Sequence, residues 1–465
     1  MAKPWHITDI LTVPAVGAYY YGDMAALQAR SISRSQAHQA TPVTSGFRVV
    51  REVAEAVSVG LVLDDRTVVW GDCVAVCYSG GAGRDPVFRT EEGLATIRRA
   101  ITPALQGREL TSFHQLAAEV DMLIESVEVS QPLPQAEAEL SGREWSRRDF
   151  LTMGLERATR EKEKVTTERL PVERSLHTAV RYGVSQALLK SVALARGVTM
   201  AEVIAEEWGL PLPDGPVPIH AQCGAERHAG ADKMILRRVA SLSHTLVDNI
   251  PEQLAEDGTR LLAYARWLKQ RIRQLGGSDY RPTIHLDLHG ALGQIFENNL
   301  GRVLGHLYAL DLATKPYPLR VESPIIMESR EAQIEAMKTL RDYVGFRNMN
   351  TQLVVDEWAN TLDDIKAFVD ALAVDMIQIK MPDLGSVHNS IEAVLACKAG
   401  GVGTLLGGSC AETDLSAQVA THVGLATQPD IIMAKPGMGV DEAISLVQNE
   451  MNRALAEIEA RALRE

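Results

Sequence analysis

Three acidic residues close three consecutive apolar runs: Asp287 ends TIHLD, Glu322 ends PLRVE and Asp356 ends QLVVD. They stand 35 and 34 residues apart, the length of a strand plus a helix. If the runs are neighbouring parallel strands, the three carboxylates gather at one edge of the sheet. Carboxylates held that close repel one another, and a hard cation relieves the repulsion. An all-oxygen set with open positions suits Mg²⁺ or Mn²⁺ better than zinc. A single acid of this kind would more readily cap the next helix or pair with a base, but three in register form a metal set. The next run, MIQIK, ends in Lys380. A partly desolvated lysine beside a divalent cation has its ammonium form disfavoured and can take a proton near neutral pH. Its competing role is a salt bridge to one of the acids. Together these residues suit removal of a proton α to a metal-held carboxylate, followed by loss of a group from the next carbon.

Further residues could face the same edge. His244 follows an apolar stretch, although a lone histidine is more often structural. Gln222 ends PVPIHAQ, and Gln378 lies two residues before Lys380, hence on the same strand face. Both can donate to a carboxylate. GGSC at 407–410 offers backbone amides close to a ligand.

These side chains need a frame that brings strand ends together. From Pro216 onward PVPIHAQ, TIHLDLHG, PLRVESP, QLVVDEW, MIQIKMP, GTLLGGSC and DIIMAKPG recur, most followed by a helical stretch. An eighth strand is expected near Met234–Arg238. Eight such βα units predict an α/β fold, a (β/α)8 TIM-like barrel with its active site at the C-terminal strand ends. A doubly wound open sheet is the alternative, disfavoured because no glycine-rich nucleotide loop follows a first strand. The preceding part reads as an α+β capping domain. It holds a hairpin turning at Asp64–Asp65, with VSVGLVLDD and TVVWGDCVAVCYSG as its arms, and a helix near Thr90–Leu105. A second helix carries a stripe of Leu176, Val180, Val184, Leu188 and Val192. The charge-rich segment 125–173, with QPLPQ and ERATREKEK, is expected to be a solvated helical insertion or mobile arm. The expected division is a cap over 1–213 and a barrel over 214–465.

Composition narrows the setting. The 465 residues are 46% hydrophobic with a net charge of −13, which argues against nucleic acid as a partner. MAKPWHITDI has no apolar signal region, and no apolar run reaches the ~18 residues of a membrane span. Cys73, Cys77, Cys223, Cys397 and Cys410 contain no CxxC pair, so neither a zinc cage nor a disulfide framework is indicated. The cytoplasm is the simplest location.

The motifs GDC-x-AV-x-YSG, GRDP, LHTAVRYG, VTMAEVI, DKMI, VDEW, QIK-x-PDLG, ETD and AKPGMGVDE with NEMNR resemble those of the methylaspartate ammonia-lyases. The resemblance runs from about Thr12 to Leu455, broken at the 125–173 insertion. It implies an enolase-superfamily enzyme, a homodimer that reversibly removes ammonia from 3-methylaspartate to give mesaconate, with Mg²⁺ and a monovalent cation such as K⁺. It implies Asp287, Glu322 and Asp356 as metal ligands and Lys380 as the base at C3. His244 acts from the opposite face, and Gln222, Gln378, Ser409 and Cys410 position the substrate. The chain departs from the family pattern at Cys77, Leu405, Ser409, Met381 and Met433. Cys77 stands where a glutamine is usual and cannot donate that residue's two amide hydrogens. A less polar pocket wall is therefore expected, with a different 3-substituent or a different amine on C2. Another superfamily reaction, a dehydration or epimerisation of a different carboxylic acid, is the alternative. A non-catalytic barrel would need a lost base or ligand, and none is visible.

Overall fold

The computed structural model describes residues 5–30, 32, 34–132, 167–223, 226–434 and 437–464. The N-terminal part forms an antiparallel sheet in the order β1 (Ile7–Gly22), β2 (Arg51–Leu63) and β3 (Val68–Cys73). The β2–β3 turn falls at Asp64–Asp65, as the sequence predicts, but the second arm ends at Cys73 and leaves VAVCYSG as a loop. A helix runs over Thr90–Leu105, widening at Ile97–Ile101.

The helix Thr178–Arg196 lies against this sheet. Leu176, Val180, Val184, Leu188 and Val192 are all buried. Gly183 sets the approach: a Cβ there would meet the Cys73 backbone nitrogen at 2.4 Å.

Segment 125–173 corrects an expectation. Its flanks are extended rather than helical: β4 (Ile124–Pro132) pairs antiparallel with β5 (Thr167–Ser175). Alternating Val127, Val129, Leu170 and Val172 favour a ribbon. ERATREKEK lies outside the described residues. Leu123–Leu176 forms a compact unit of its own, whereas the N-terminal sheet, its helices and all that follows form another.

The rest is a closed parallel barrel: β6 (Ile219–His220), β7 (Ser241–His244), β8 (Thr283–Asp287), β9 (Leu319–Glu322), β10 (Thr351–Val355), β11 (Met376–Lys380), β12 (Gly403–Gly407) and β13 (Ile431–Met433), with β13 returning to β6. Closure excludes the open doubly wound sheet. The strand expected at Met234–Arg238 is in fact the end of a helix, Arg227–Leu236, and the strand follows at Ser241–His244. Met234 and Ile235 form that helix's buried stripe, and a four-residue SLSH strand is too short to show a period.

Strand alternation sorts the barrel side chains. Ile284 and Leu286 pack on one face of β8, while His285 and Asp287 take the other. Met376, Gln378 and Lys380 share a face of β11. Val354, Met376, Leu405, Ile431 and Met433 form one buried apolar cluster. Leu405 is in register with Gln378, two positions before Gly407 and Lys380, so it belongs to this floor. Several following helices are capped by Ser or Thr: Ser329 before Arg330–Phe346, Thr361 before Leu362–Asp370 and Thr413 before Asp414–Thr427. Glu322 and Asp356 therefore have no capping work.

Gly183→Ala should lower stability by about 2 kcal/mol, because the added methyl meets backbone that cannot swing away. Gly305→Ala, where a Cβ has open space on a helix, should not destabilise. Urea unfolding of both variants checks the contrast.

Candidate active site

Asp287 and Glu322 end neighbouring strands in register, and Asp356 follows β10 by one residue. Their carboxylates converge in the barrel mouth, all nearly fully buried. Oxygens of Asp287 and Glu322 and a nitrogen of His244 lie within 4.8 Å of one another. Asp356 is engaged differently: its Oδ2 accepts from Lys380 Nζ at 2.5 Å, and its Oδ1 lies 3.1 Å from Arg84 Nη2. The structure thus brings the three acids, Lys380 and His244 into one mouth, with Asp356 tied by two cations.

His244 ends β7 rather than following it, at a left-handed φ of 66° that L side chains rarely adopt. Its Nε2 is 3.4 Å from Asp287 Oδ2, and its Nδ1 is 3.1 Å from His220 Nε2. His285 Nε2 is 2.7 Å from Glu322 Oε2, and His220 Nδ1 is 3.0 Å from Ser241 Oγ. Burial, followed by the neighbouring histidines, holds His220 and His285 well below the usual imidazole range, so both are neutral. Although His220, His244 and His285 also cluster, their nitrogens already orient one another and Glu322. They support the acids from behind.

Burial, then the charges of Asp287 and Asp356, pushes the Glu322 carboxyl well above the usual range. Its Oε1 is buried without a hydrogen-bond partner, as is Gln378 Oε1. Crowded, orphaned oxygens of this kind are donors for a hard divalent ion. Lys380 departs from the sequence expectation. Burial alone would lower it, but the Asp356 carboxylate more than offsets this, and its pKa lies above the ordinary lysine value. The nearest charge to Lys380 is an anion, so the side chains by themselves hold it as ammonium.

A small cavity of about 30 Å³ occupies the mouth, lined among others by Gln222, His244, Asp287, Asp356, Gln378 and Lys380. Ser409, Cys410, Cys77 and Met433 line it as well. Gln222 stands two residues beyond β6 rather than at its end. Ser409 Oγ donates to Ala75 O at 2.8 Å, holding the loop after β12 against the loop after β3. Of the residues departing from the family pattern, Cys77, Ser409 and Met433 are in this wall. Leu405 and Met381 are fully buried and absent from the lining.

Sequence reasoning missed Arg84, His289, Glu357 and Asp383. Arg84 donates from Nε to Asp383 Oδ2 at 2.8 Å, and its Nη1 is 3.7 Å from Glu357 Oε1. His289 Nδ1 is 2.7 Å from Glu357 Oε1. Burial works against both charges of that pair, yet each partner holds the other ionised: Glu357 well below and His289 above its usual value. The available signal was proximity in sequence: HLDLH, VDEW, PDLG and GRDP place these groups beside recognised ones. The loop bearing Arg84 is fixed by Asn360 Nδ2 donating to Ala82 O at 2.6 Å.

Residues 5–137 and 131–209 match the family model for the methylaspartate ammonia-lyase N-terminus, and residues 211–460 match that for its C-terminus. The chain is 42% identical over 455 residues to methylaspartate ammonia-lyase 2 of Carboxydothermus hydrogenoformans, covering 98% of this chain and 99% of that one. Among solved structures it is similar to the β-methylaspartase of Clostridium tetanomorphum in its Mg complex, with TM-score 0.80, 38% identity and 98% and 100% of the two chains covered. It is also similar to the Citrobacter amalonaticus methylaspartate ammonia lyase containing (2S,3S)-3-methylaspartic acid, with TM-score 0.83, 35% identity and the same coverage.

The raised Glu322 carboxyl carries a stability prediction. Because its folded value lies above the unfolded one, its neutral form contributes stability at low pH that is lost as pH rises through the folded value. With EDTA present, Glu322→Gln should therefore be more stable than the parent by on the order of 1 kcal/mol at mildly alkaline pH, with the gain vanishing in acid. Urea titrations at both pH values check it.

Proposed function

The chain belongs to the methylaspartate ammonia-lyase family, and on that premise we propose that its barrel mouth eliminates ammonia reversibly from 3-methylaspartate, or a closely related substituted aspartate, to give mesaconate or its analogue. The observation that carries this reading is the placement of Lys380 and His244. They end β11 and β7, four places apart in an eight-stranded closed sheet, and so stand on opposite sides of the mouth with the carboxylates between. Two proton-handling groups on opposite faces of one bound substrate suit an elimination in which a proton and an amine leave adjacent carbons.

In this reading Asp287, Glu322 and Asp356 hold Mg²⁺. When bound, the ion supplies positive charge to the substrate carboxylate beside the carbon that loses its proton. Lys380 takes the C3 proton. To do so it must give up its ion pair with Asp356, and the Arg84 guanidinium helps by opposing the ammonium form. His244 handles the proton on the other face, oriented by His220. Gln222 and Gln378 hold a substrate carboxylate, with Ser409 and Cys410 shaping the wall. Cys77 makes that wall less polar, which favours a substrate whose 3-substituent or C2 amine differs from that of 3-methylaspartate.

The proposal extends to a monovalent cation such as K⁺, a homodimer, a cytoplasmic role in amino-acid degradation and a division between cap and barrel at 213/214. Among the described residues no helix is long and apolar enough to cross a membrane.

Incubation with Mg²⁺, K⁺ and 3-methylaspartate should raise mesaconate absorbance. Lys380→Ala should lower kcat by roughly 10²- to 10⁴-fold, and EDTA should abolish turnover. No turnover by a protein that still binds Mg²⁺ would move the assignment to a dehydration or epimerisation of another carboxylic acid.

A further inference from the structure

Two cysteines from distant parts of the chain meet in the wall of the mouth. Cys77 lies in the loop after β3, and Cys410 lies just past β12. Their backbones are clamped independently of the sulfurs. Ser409 Oγ donates to Ala75 O at 2.8 Å and accepts from the Ala411 amide at 3.1 Å, while the Gly22 amide donates to Cys77 O at 2.9 Å. The two thiols line the same small cavity and perturb each other's ionisation. Cys77 is buried, but Cys410 is partly exposed and also lines a second cavity with Tyr19, Tyr78 and Met438. A small solute thus has a route to Cys410 from outside the catalytic cavity.

We propose that Cys77 and Cys410 are an oxidisable dithiol that closes to a disulfide when a peroxide reaches Cys410. The Cys410 thiolate attacks one peroxide oxygen, the O–O bond breaks, and one water leaves with formation of the sulfenic acid. Cys77 then attacks that sulfur, the S–O bond breaks, and a second water leaves as the S–S bond forms. Two thiols lose two electrons and two protons, and hydrogen peroxide is reduced to two waters. The division of roles agrees with the local chemistry. Interaction with Cys77 lowers the Cys410 thiol, with Lys380 and Gln222 assisting, whereas burial pushes the Cys77 thiol well up. The other cysteines are placed less well. Cys73 Sγ faces Val180 O at 3.9 Å, and Cys397 is buried in the helix Val387–Ala399. Cys223, which lines the second cavity, is the one competitor.

The bond would tie the loop after β3 to the loop after β12 and remove both thiols from the pocket wall. Displacement of groups at the mouth should lower turnover at least roughly tenfold, with recovery on reduction. The cross-link is read by mass and does not rest on which substrate is turned over. Full-length protein is treated with hydrogen peroxide, its remaining thiols are alkylated, and the digest is analysed by mass spectrometry. The expected result is a linked Cys77–Cys410 peptide pair, lighter by two hydrogens, released by dithiothreitol and absent from Cys77→Ser and Cys410→Ser. In Cys77→Ser, Cys410 should advance to sulfinic acid. A Cys410–Cys223 link, sulfinic acid at Cys410 of the unsubstituted protein without cross-linking, or two thiols that stay alkylatable would each overturn the proposal.

Discussion

The crowding of buried carboxylates at the barrel mouth is the constraint from which the rest of the site follows. Asp287, Glu322, Asp356, Glu357 and Asp383 are all nearly inaccessible to water, where an isolated negative charge is very costly. Asp356, Asp383 and Glu357 are answered by specific groups. Lys380 and Arg84 take Asp356, Arg84 takes Asp383, and His289 takes Glu357. Among the described residues Glu322 lacks a cationic partner of that kind, and its carboxyl holds its proton more tightly. The unbalanced part of the site is where a divalent ion has the most to contribute.

That balance explains why the N-terminal part of the chain is more than a lid. Arg84 reaches the acids from the loop after β3, and Arg51 of β2 meets Asp248 of the barrel at 3.0 Å. Gln28 donates to Val247 O and His289 O at 3.0 Å each. Thr413 Oγ1 donates to Asp72 Oδ2 at 2.6 Å. These are buried polar contacts, and breaking one strands its partner in a medium that solvates it poorly. The cap and the barrel mouth are therefore a single electrostatic unit, in keeping with their compactness as one body.

The barrel interior is itself divided by chemistry. His220, His244, His285 and Glu322 occupy the inward side of β6–β9, whereas Val354, Met376, Leu405, Ile431 and Met433 fill the floor from β10–β13. The polar half orients Glu322 and His244 through hydrogen bonds. The apolar half supplies a firm base beneath Gln378 and Lys380. The departures at Leu405 and Met433 both belong to this floor, and Met433 also reaches the cavity wall.

Much of this was legible in the chain because parallel strands leave a local mark. Each βα unit writes its own apolar run with its polar end residue, so Asp287, Glu322, Asp356, Lys380 and the helix stripe from Val180 to Val192 could be read without any tertiary knowledge, while Leu176 precedes the helix. Short strands defeated the same method. SLSH has too few residues to show a period, so the strand was displaced onto the apolar stripe of the preceding helix. The ribbon flanking 133–166 was hidden by charge, because a charge-rich alternating run looks like a solvated helix. Pairings distant in sequence were invisible: nothing in GRDP says that its arginine meets Asp356 and Asp383, and nothing in CYSG says that Cys77 meets Cys410. The sequence by itself determined the residue types, their order around the barrel and their place at strand ends, since periodicity and connectivity are local. Only the tertiary structure decided which charges neutralise which, because that depends on distances and burial set by closing the sheet and docking the cap.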